Sequence, residues 1–152
     1  DTSDRSVHEL RRDIESSFLG NGRADSSPEL RATVVSFGYK YGVPVDADLV
    51  VDVRFLPNPY WIPELRELTG TDQEIRDYVL GQQDAVTFLD RYAAILEIIG
   101  AGYRRESKRY LTLAVGCTGG KHRSVVMARE LADRLSASGV HTTVVNRDLG
   151  RE

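Results

Sequence analysis

An α/β domain with a mainly parallel sheet flanked by helices is the fold class this sequence predicts, on three observations. The runs RATVVSF (31–37) and YLTLAVG (110–116) are short and almost wholly apolar or β-branched, the pattern of strands covered on both faces. From YLTLAVG the chain passes through the loop CTGGKHRS, a segment of helical period and HTTVVNRDL (141–149), which is strand, loop, helix and strand within about 40 residues, a βαβ unit. Finally, 152 residues with 41% hydrophobic and 28% charged side chains suit one globular domain, and at this length roughly two thirds of the unfolded surface can be buried in one core.

The elements follow in chain order. Ser6 and Glu9 form a capping box ahead of Val7, Leu10, Ile14 and Phe18 on one stripe, predicting an amphipathic helix near 6–19. The cluster GNGRADSSPE (20–29) breaks it and reads as a linker. After the first strand, stopped by Gly38, the run DLVVDVRF (48–55) predicts a second. Pro57, Pro59 and Pro63 then forbid regular structure and demand a shaped surface loop. Thr71 and Glu74 form another capping box, opening a short helix that Gly81 ends. Asp84 to Ile99 carries Phe88, Tyr92, Ile95 and Ile99 on one face, with Val86, Leu89, Ala93 and Leu96 adjoining, and Gly100 and Gly102 supply a stop. In the βαβ unit, Val125, Ala128, Leu131, Ala132 and Leu135 line one helix face, Glu130 and Arg134 pair at i,i+4, and Gly139 ends the helix.

Composition excludes several function classes. No run approaches the roughly 20 apolar residues needed to span a bilayer, and the first residues offer no signal-peptide core, so a cytoplasmic protein without membrane contact is expected. A lone cysteine, Cys117, cannot make an internal disulfide, and His8, His122 and His141 show no metal-ligand spacing, so no bound metal is expected. The net charge of −3 is unevenly spread: residues 1–100 hold 10 Lys/Arg against 18 Asp/Glu, residues 101–152 hold 10 against 5. An anionic partner is thus drawn to the last third, where a solvated basic face is the plain alternative.

The chemistry concentrates in the turn between the 110–116 strand and the following helix. In open α/β sheets ligands bind beyond the carboxyl ends of strands, where a glycine-bearing turn and a helix N-terminus aim N–H groups outward. Gly119 and Gly120 permit close approach, Lys121 and Arg123 add charge, Thr118 and Ser124 can donate hydroxyl hydrogen bonds, and His122 donates or accepts according to pH. Almost every side chain there suits an anion, although a ligand-free connection is the plain alternative. The loop is not a Walker A motif, because Lys121 is followed by His122 and position 115 is Val. Cys117-x5-Arg123-Ser124 does match the spacing of the cysteine-phosphatase loop, with Gly116 where that loop has His; a helix N-terminus and adjacent cations lower a thiol pKa as a nucleophile requires.

The string GCTGGKHRS (116–124) resembles the fingerprint of the RapZ/YvcJ family, and SFGYKYGVPVDADLVVDVRFLPNPYWIPELRELTG (36–70), YLTLAVG and HTTVVNRDL agree with it. The likeness spans essentially residues 31–149. DTSDRSVHELRRDIE looks like the junction after that family's N-terminal nucleotide-binding domain, so residues 1–30 would be junction helix and linker, and 31–152 the C-terminal domain. The resemblance implies a parent protein that binds ATP and GTP and hydrolyses them weakly through Walker motifs outside this chain, leaving this domain non-enzymatic and without a cofactor. In the enterobacterial branch such a domain is similar to a sugar-phosphate sensor and RNA-binding module, which recognises glucosamine-6-phosphate and presents small regulatory RNAs to an RNase. The pocket so implied comprises Cys117, Thr118, Gly119, His122 and Arg123, with Asp52 from the second strand and the residue at position 60. Asp52 could hold an amine or hydroxyls while the loop holds phosphate; the plain reading of Asp52 and Arg54 is a local ion pair shaping the strand end.

Two departures stand out. Position 60 is Tyr where the enterobacterial proteins have His, and the chain ends RDLGRE without their basic tail. RNA contact would then fall to Arg104, Arg105, Lys108 and Arg109, whose plain reading is a charged helix end. The expected phosphate-site residues are therefore Asp52, Arg54, Tyr60, Cys117, Thr118, Gly119, Gly120, Lys121, His122, Arg123 and Ser124. The expected partners are a phosphorylated small molecule such as an amino-sugar phosphate, an RNA with its RNase, and further copies of the chain in a homo-oligomer. Two rivals are a phosphatase using Cys117, Arg123 and a general acid such as Asp52 or Asp148, and a structural domain oligomerising through the 6–19 helix.

Overall fold

The computed structural model describes residues 29–151, so the expected 6–19 helix and its linker lie outside the described residues. Four strands, β1 (Arg31–Gly38), β2 (Leu49–Asp52), β3 (Tyr110–Cys117) and β4 (His141–Asn146), form one all-parallel sheet in the order β2-β3-β1-β4. Helices α1 (Pro63–Arg66), α2 (Gln73–Leu80), α3 (Gln83–Arg105) and α4 (Arg123–Ala137) cover it, as the α/β prediction required.

The central strands β1 and β3 are buried along nearly their whole length, which is why their sequences lack alternation. The core gathers Val34, Leu111, Leu113 and Val115 from the sheet, Ile75 and Val79 from α2, Leu89 and Leu96 from α3, and Met127, Ala128, Leu131 and Leu135 from α4. Leu30, just ahead of β1, is buried with them. Connections leaving β1 and β3 travel in opposite directions, one to β2 and the other to β4. The register pairs Gly38 with Cys117 and Asp52 with Gly116, so three carboxyl ends meet at one place.

Several sequence expectations need correction, among them the proline stretch, where Pro63 opens α1 instead of barring a helix. The second strand ends at Asp52, not 55, because the Asp52 carboxylate accepts the Arg54 N–H at 2.9 Å and turns the chain. β4 ends at Asn146, not 149, and residues 147–150 fold into a turn around buried Asp148. Thr71 does not cap α2: its N-cap is Asp72, whose carboxylate instead accepts the Thr69 N–H at 2.8 Å. Finally, α3 runs through Gly100 and Gly102 to Arg105. Gly100 faces inward, where an added Cβ would lie 3.3 Å from Leu30 Cδ2, so close packing rather than termination explains it. The buried line of α3 is Ala85, Leu89, Leu96 and Gly100, leaving Val86, Ile95 and Ile98 exposed. The predicted face was drawn too wide.

Candidate anion-binding site

β3 delivers its buried end, Cys117, into the turn Thr118–His122, from which α4 departs. The turn lies against the end of β1. Gly120 has φ +74°, and a Cβ there would stand 2.7 Å from the Gly38 nitrogen; a Cβ on Gly38 would come within 2.4 Å of the Gly119 carbonyl carbon. Only glycine permits this contact between two backbones. Thr118 O accepts the Lys40 N–H at 3.2 Å and Lys121 O accepts the Gly70 N–H at 2.9 Å, fixing both flanks. No side chain caps α4 and its first turn holds no acidic residue, so the positive end of the helix is not offset by side chains of that turn.

Arg123 is 4% exposed. Its Nη1 donates to the carbonyls of Arg54 at 3.1 Å and Leu56 at 2.9 Å, and Nη2 approaches Thr118 Oγ1 at 3.4 Å. The buried Nε has no hydrogen-bond partner. Burial pushes the guanidinium pKa down from its ordinary value while Cys117 and Asp52 act the other way, and a guanidinium remains charged throughout the physiological range. A cation buried in this way is stabilised by an anion placed nearby.

Around it runs a cavity of about 520 Å³ lined by Cys117, Thr118, Gly119, Lys121, His122 and Arg123 from the loop, Lys40 and Tyr41 after β1, Asn58, Tyr60 and Trp61 from the proline loop, and Arg151. Helix α1, which follows the proline loop, is tied to the glycine turn through the Arg66 carbonyl, which accepts from Lys121 Nζ at 3.0 Å and faces His122 Nε2 at 3.2 Å. That contact to a carbonyl requires a proton on Nε2. Cys117 Sγ donates to Ser124 Oγ at 3.1 Å in the buried floor.

Of the expected phosphate-site residues, the structure brings together Tyr60, Cys117, Thr118, Gly119, Lys121, His122 and Arg123 at the cavity, with Gly120 and Ser124 shaping the turn behind it. The side chains of Asp52 and Arg54 do not join them. They form a two-toothed ion pair at 2.7 Å with the guanidinium 3.8 Å above the Tyr39 ring, the plain reading of that pair. Hydrogen bonding from Arg54 holds the Asp52 carboxyl below its ordinary pKa. Arg54 serves the site through its carbonyl. Arg104, Arg105, Lys108 and Arg109 lie where α3 ends and β3 begins, at the opposite end of the sheet.

Sequence reasoning missed Lys40, Tyr41, Asn58, Trp61, Arg66 and Arg151. Lys40 and Tyr41 had a signal, since they follow the carboxyl end of a parallel strand just as residues 118–123 do. Asp148 was weighed only as a general acid. Its side chain is wholly buried, accepting the Gly38 N–H at 2.8 Å and pairing with Arg147 at 2.9 Å and Arg151 at 3.4 Å. It therefore braces the β1 end of the nest. Among the described residues no group of three or more His, Cys, Asp or Glu side chains is placed to hold a metal ion, and no helix is long and apolar enough to cross a membrane.

Comparison with known proteins places the family. Residues 30–150 match the family model of the RapZ C-terminal domain. The chain is similar over all 152 residues to proteins named nucleotide-binding protein in Streptomyces coelicolor (64% identity), Streptomyces avermitilis (63%) and Frankia alni (62%). It spans about half the length of these relatives, 50–51%.

Proposed function

The chain belongs to the RapZ C-terminal domain family, and from that premise we propose that it is a regulatory module that senses a phosphate-bearing metabolite at the Cys117–Ser124 loop. The observation that carries this reading is Arg123: a buried guanidinium with an unpartnered Nε, beside a glycine turn and an uncapped helix start, at the cavity where three strands end. A phosphate group there meets the helix N-terminus, Arg123 and the hydroxyl of Thr118, while Lys121 and Lys40 set a positive rim. An amino-sugar phosphate such as glucosamine-6-phosphate is the proposed ligand. Tyr60 offers the sugar a phenol at the cavity edge, and Asp52 stays in its ion pair with Arg54.

RNA binding is the second half of the proposal, with Arg104, Arg105, Lys108 and Arg109 as a backbone-contacting cluster that hands a small regulatory RNA to an RNase. The whole protein, about twice this length in its relatives, is proposed to bind ATP or GTP and hydrolyse them slowly in its other half, to work in the cytoplasm and to assemble as a homo-oligomer. This domain itself is proposed to be a non-enzyme that needs no cofactor or metal.

One observation favours the phosphatase reading: the buried Cys117 thiol hydrogen-bonded to Ser124, next to Arg123 in the Cys-x5-Arg spacing. Two weigh against it. Asp148 is held by Gly38 and two arginines, and Asp52 has its pKa lowered by Arg54, the reverse of what a general acid needs. The test is calorimetric titration with glucosamine-6-phosphate, glucosamine and inorganic phosphate, alongside an assay for aryl phosphate hydrolysis. Saturable binding that requires the phosphate and is lost in Arg123→Ala supports the sensor; turnover abolished by Cys117→Ser establishes the phosphatase instead.

A further inference from the structure

The cavity rim carries aromatic surface that a phosphate cradle alone does not require. Trp61 is 72% exposed and Tyr60 43%, their rings edge to face with centroids 5.2 Å apart. Leaving an indole in water forgoes the burial of a large apolar surface, so its placement calls for a partner. Nor is the placement loose. Asn58 Oδ1 accepts the Tyr60 N–H at 3.1 Å, Asn58 O accepts the Trp61 N–H at 3.2 Å, Pro59 is buried, and Arg66 Nε donates to Tyr60 O at 2.8 Å while its guanidinium sits 4.9 Å over the Tyr60 ring. The same Arg66 offers its carbonyl to Lys121 and His122, so the aromatic turn and the phosphate loop are built as one unit. Across the cavity a third ring, Tyr41, is flanked by Lys40 at 5.1 Å and Arg151 at 4.9 Å.

Resting on the phosphate half of the reading above, and in place of its amino sugar, we propose that the ligand of this site carries a nucleobase: a nucleoside monophosphate, free or as the 5′ end of an RNA, whose phosphate sits on the Cys117–Ser124 loop and whose base stacks on Trp61. Cationic grooves studded with exposed aromatic rings bind single nucleotides in this way, because every base has a π-face and stacking tolerates any base identity. The backbone of the turn is held before the ligand arrives, which lowers the cost of presenting the indole. At about 520 Å³ the cavity has room for more than a phosphate and one sugar ring.

Trp61 is the single tryptophan of the 152 residues, so intrinsic fluorescence reads the contact directly. The 152-residue chain is titrated with AMP and UMP, and with ribose 5-phosphate, glucosamine-6-phosphate and inorganic phosphate, by fluorescence and calorimetry. The expected result is quenching by both nucleotides and affinity about 10-fold or more above that of either sugar phosphate. Trp61→Ala should erase that advantage, bringing the nucleotides down to the affinity of ribose 5-phosphate, and Trp61→Phe should keep most of it. A 5′-phosphorylated RNA tetramer that competes as well as AMP assigns the base to an RNA end; one that does not assigns it to free nucleotide. Nucleotides no tighter than ribose 5-phosphate, or an advantage that survives Trp61→Ala, overturn the inference and leave the phosphate site standing. Failure of all five probes overturns the phosphate site and the inference with it.

Discussion

The two ends of the sheet each carry a group of cations, and they are built in opposite ways. At the carboxyl end, Arg123 is buried and Lys121 half-buried, and each is fastened to a backbone carbonyl, that of Leu56 for Arg123 and that of Arg66 for Lys121. At the amino end, Arg104 and Arg105 stand exposed in the last turn of α3, complementing the negative end of that helix. Lys108 is tied to Asp48 at 3.3 Å and lies 5.2 Å over the Tyr103 ring, and Arg109 is exposed. Equal charge therefore means different things. Buried cations beside a helix N-terminus have lost their water and gain strongly from an incoming anion, whereas exposed cations keep their water and offer diffuse, salt-sensitive attraction.

The contrast is broken most severely through the backbone. Gly120→Ala places a Cβ against the Gly38 nitrogen at φ +74°, and should cost about 3 kcal/mol and abolish phosphate binding. Gly139→Ala, also at positive φ (+93°) but with nothing within 4 Å, should cost about 1 kcal/mol. Urea denaturation of the two variants measures the difference. Next in size, Arg123→Ala should weaken phosphate binding by about 30-fold, while Arg105→Ala should stay within about twofold of the parent in the same titration. For the exposed cluster the sensitive quantity is salt: replacing Arg104, Arg105 and Arg109 together should lower the slope of log affinity for single-stranded RNA against log salt by about 2.

The smallest effect concerns Asp52. Its folded pKa lies below the ordinary value because Arg54 hydrogen-bonds the carboxylate, so the pair stabilises the fold above the usual carboxylate range, and this is lost as pH falls through the folded value. Both side chains are nearly half exposed, which keeps the contribution small. Asp52→Asn should flatten the acid slope of stability slightly without altering phosphate affinity at pH 7. A large loss of affinity would instead return Asp52 to the ligand.

What could be read from sequence follows the same divide. β1, β3 and α4 were legible because burial on every side leaves an unbroken apolar run or a full helical stripe, and the 117–124 loop was legible because its charges and glycines are consecutive. The ends of β2 and β4 were not: Val53 and Phe55 continue the apolar pattern beyond β2, where the Asp52 side chain turns the chain, and beyond β4 the chain turns around Asp148, whose carboxylate is buried against Gly38. Gly100 and Gly102 looked like a helix stop until Leu30 packed on one of them. The partners that complete the cavity come from Lys40 to Arg151 and meet only through the parallel register of β1 and β3. Trp61 sat in a loop already marked as shaped by three prolines, without a sign that its ring would face solvent beside the phosphate loop.

The central claim, that the carboxyl end of the sheet rather than the basic amino end is the phosphate site, is tested most directly by following backbone amide resonances of the ¹⁵N-labelled chain during titration with glucosamine-6-phosphate. Shifts centred on Thr118–Ser124, with Lys40 and Tyr60 moving alongside and residues 104–109 still, are the predicted result. Shifts centred on Arg104–Arg109, with the Gly119–Gly120 amides unmoved, would contradict it.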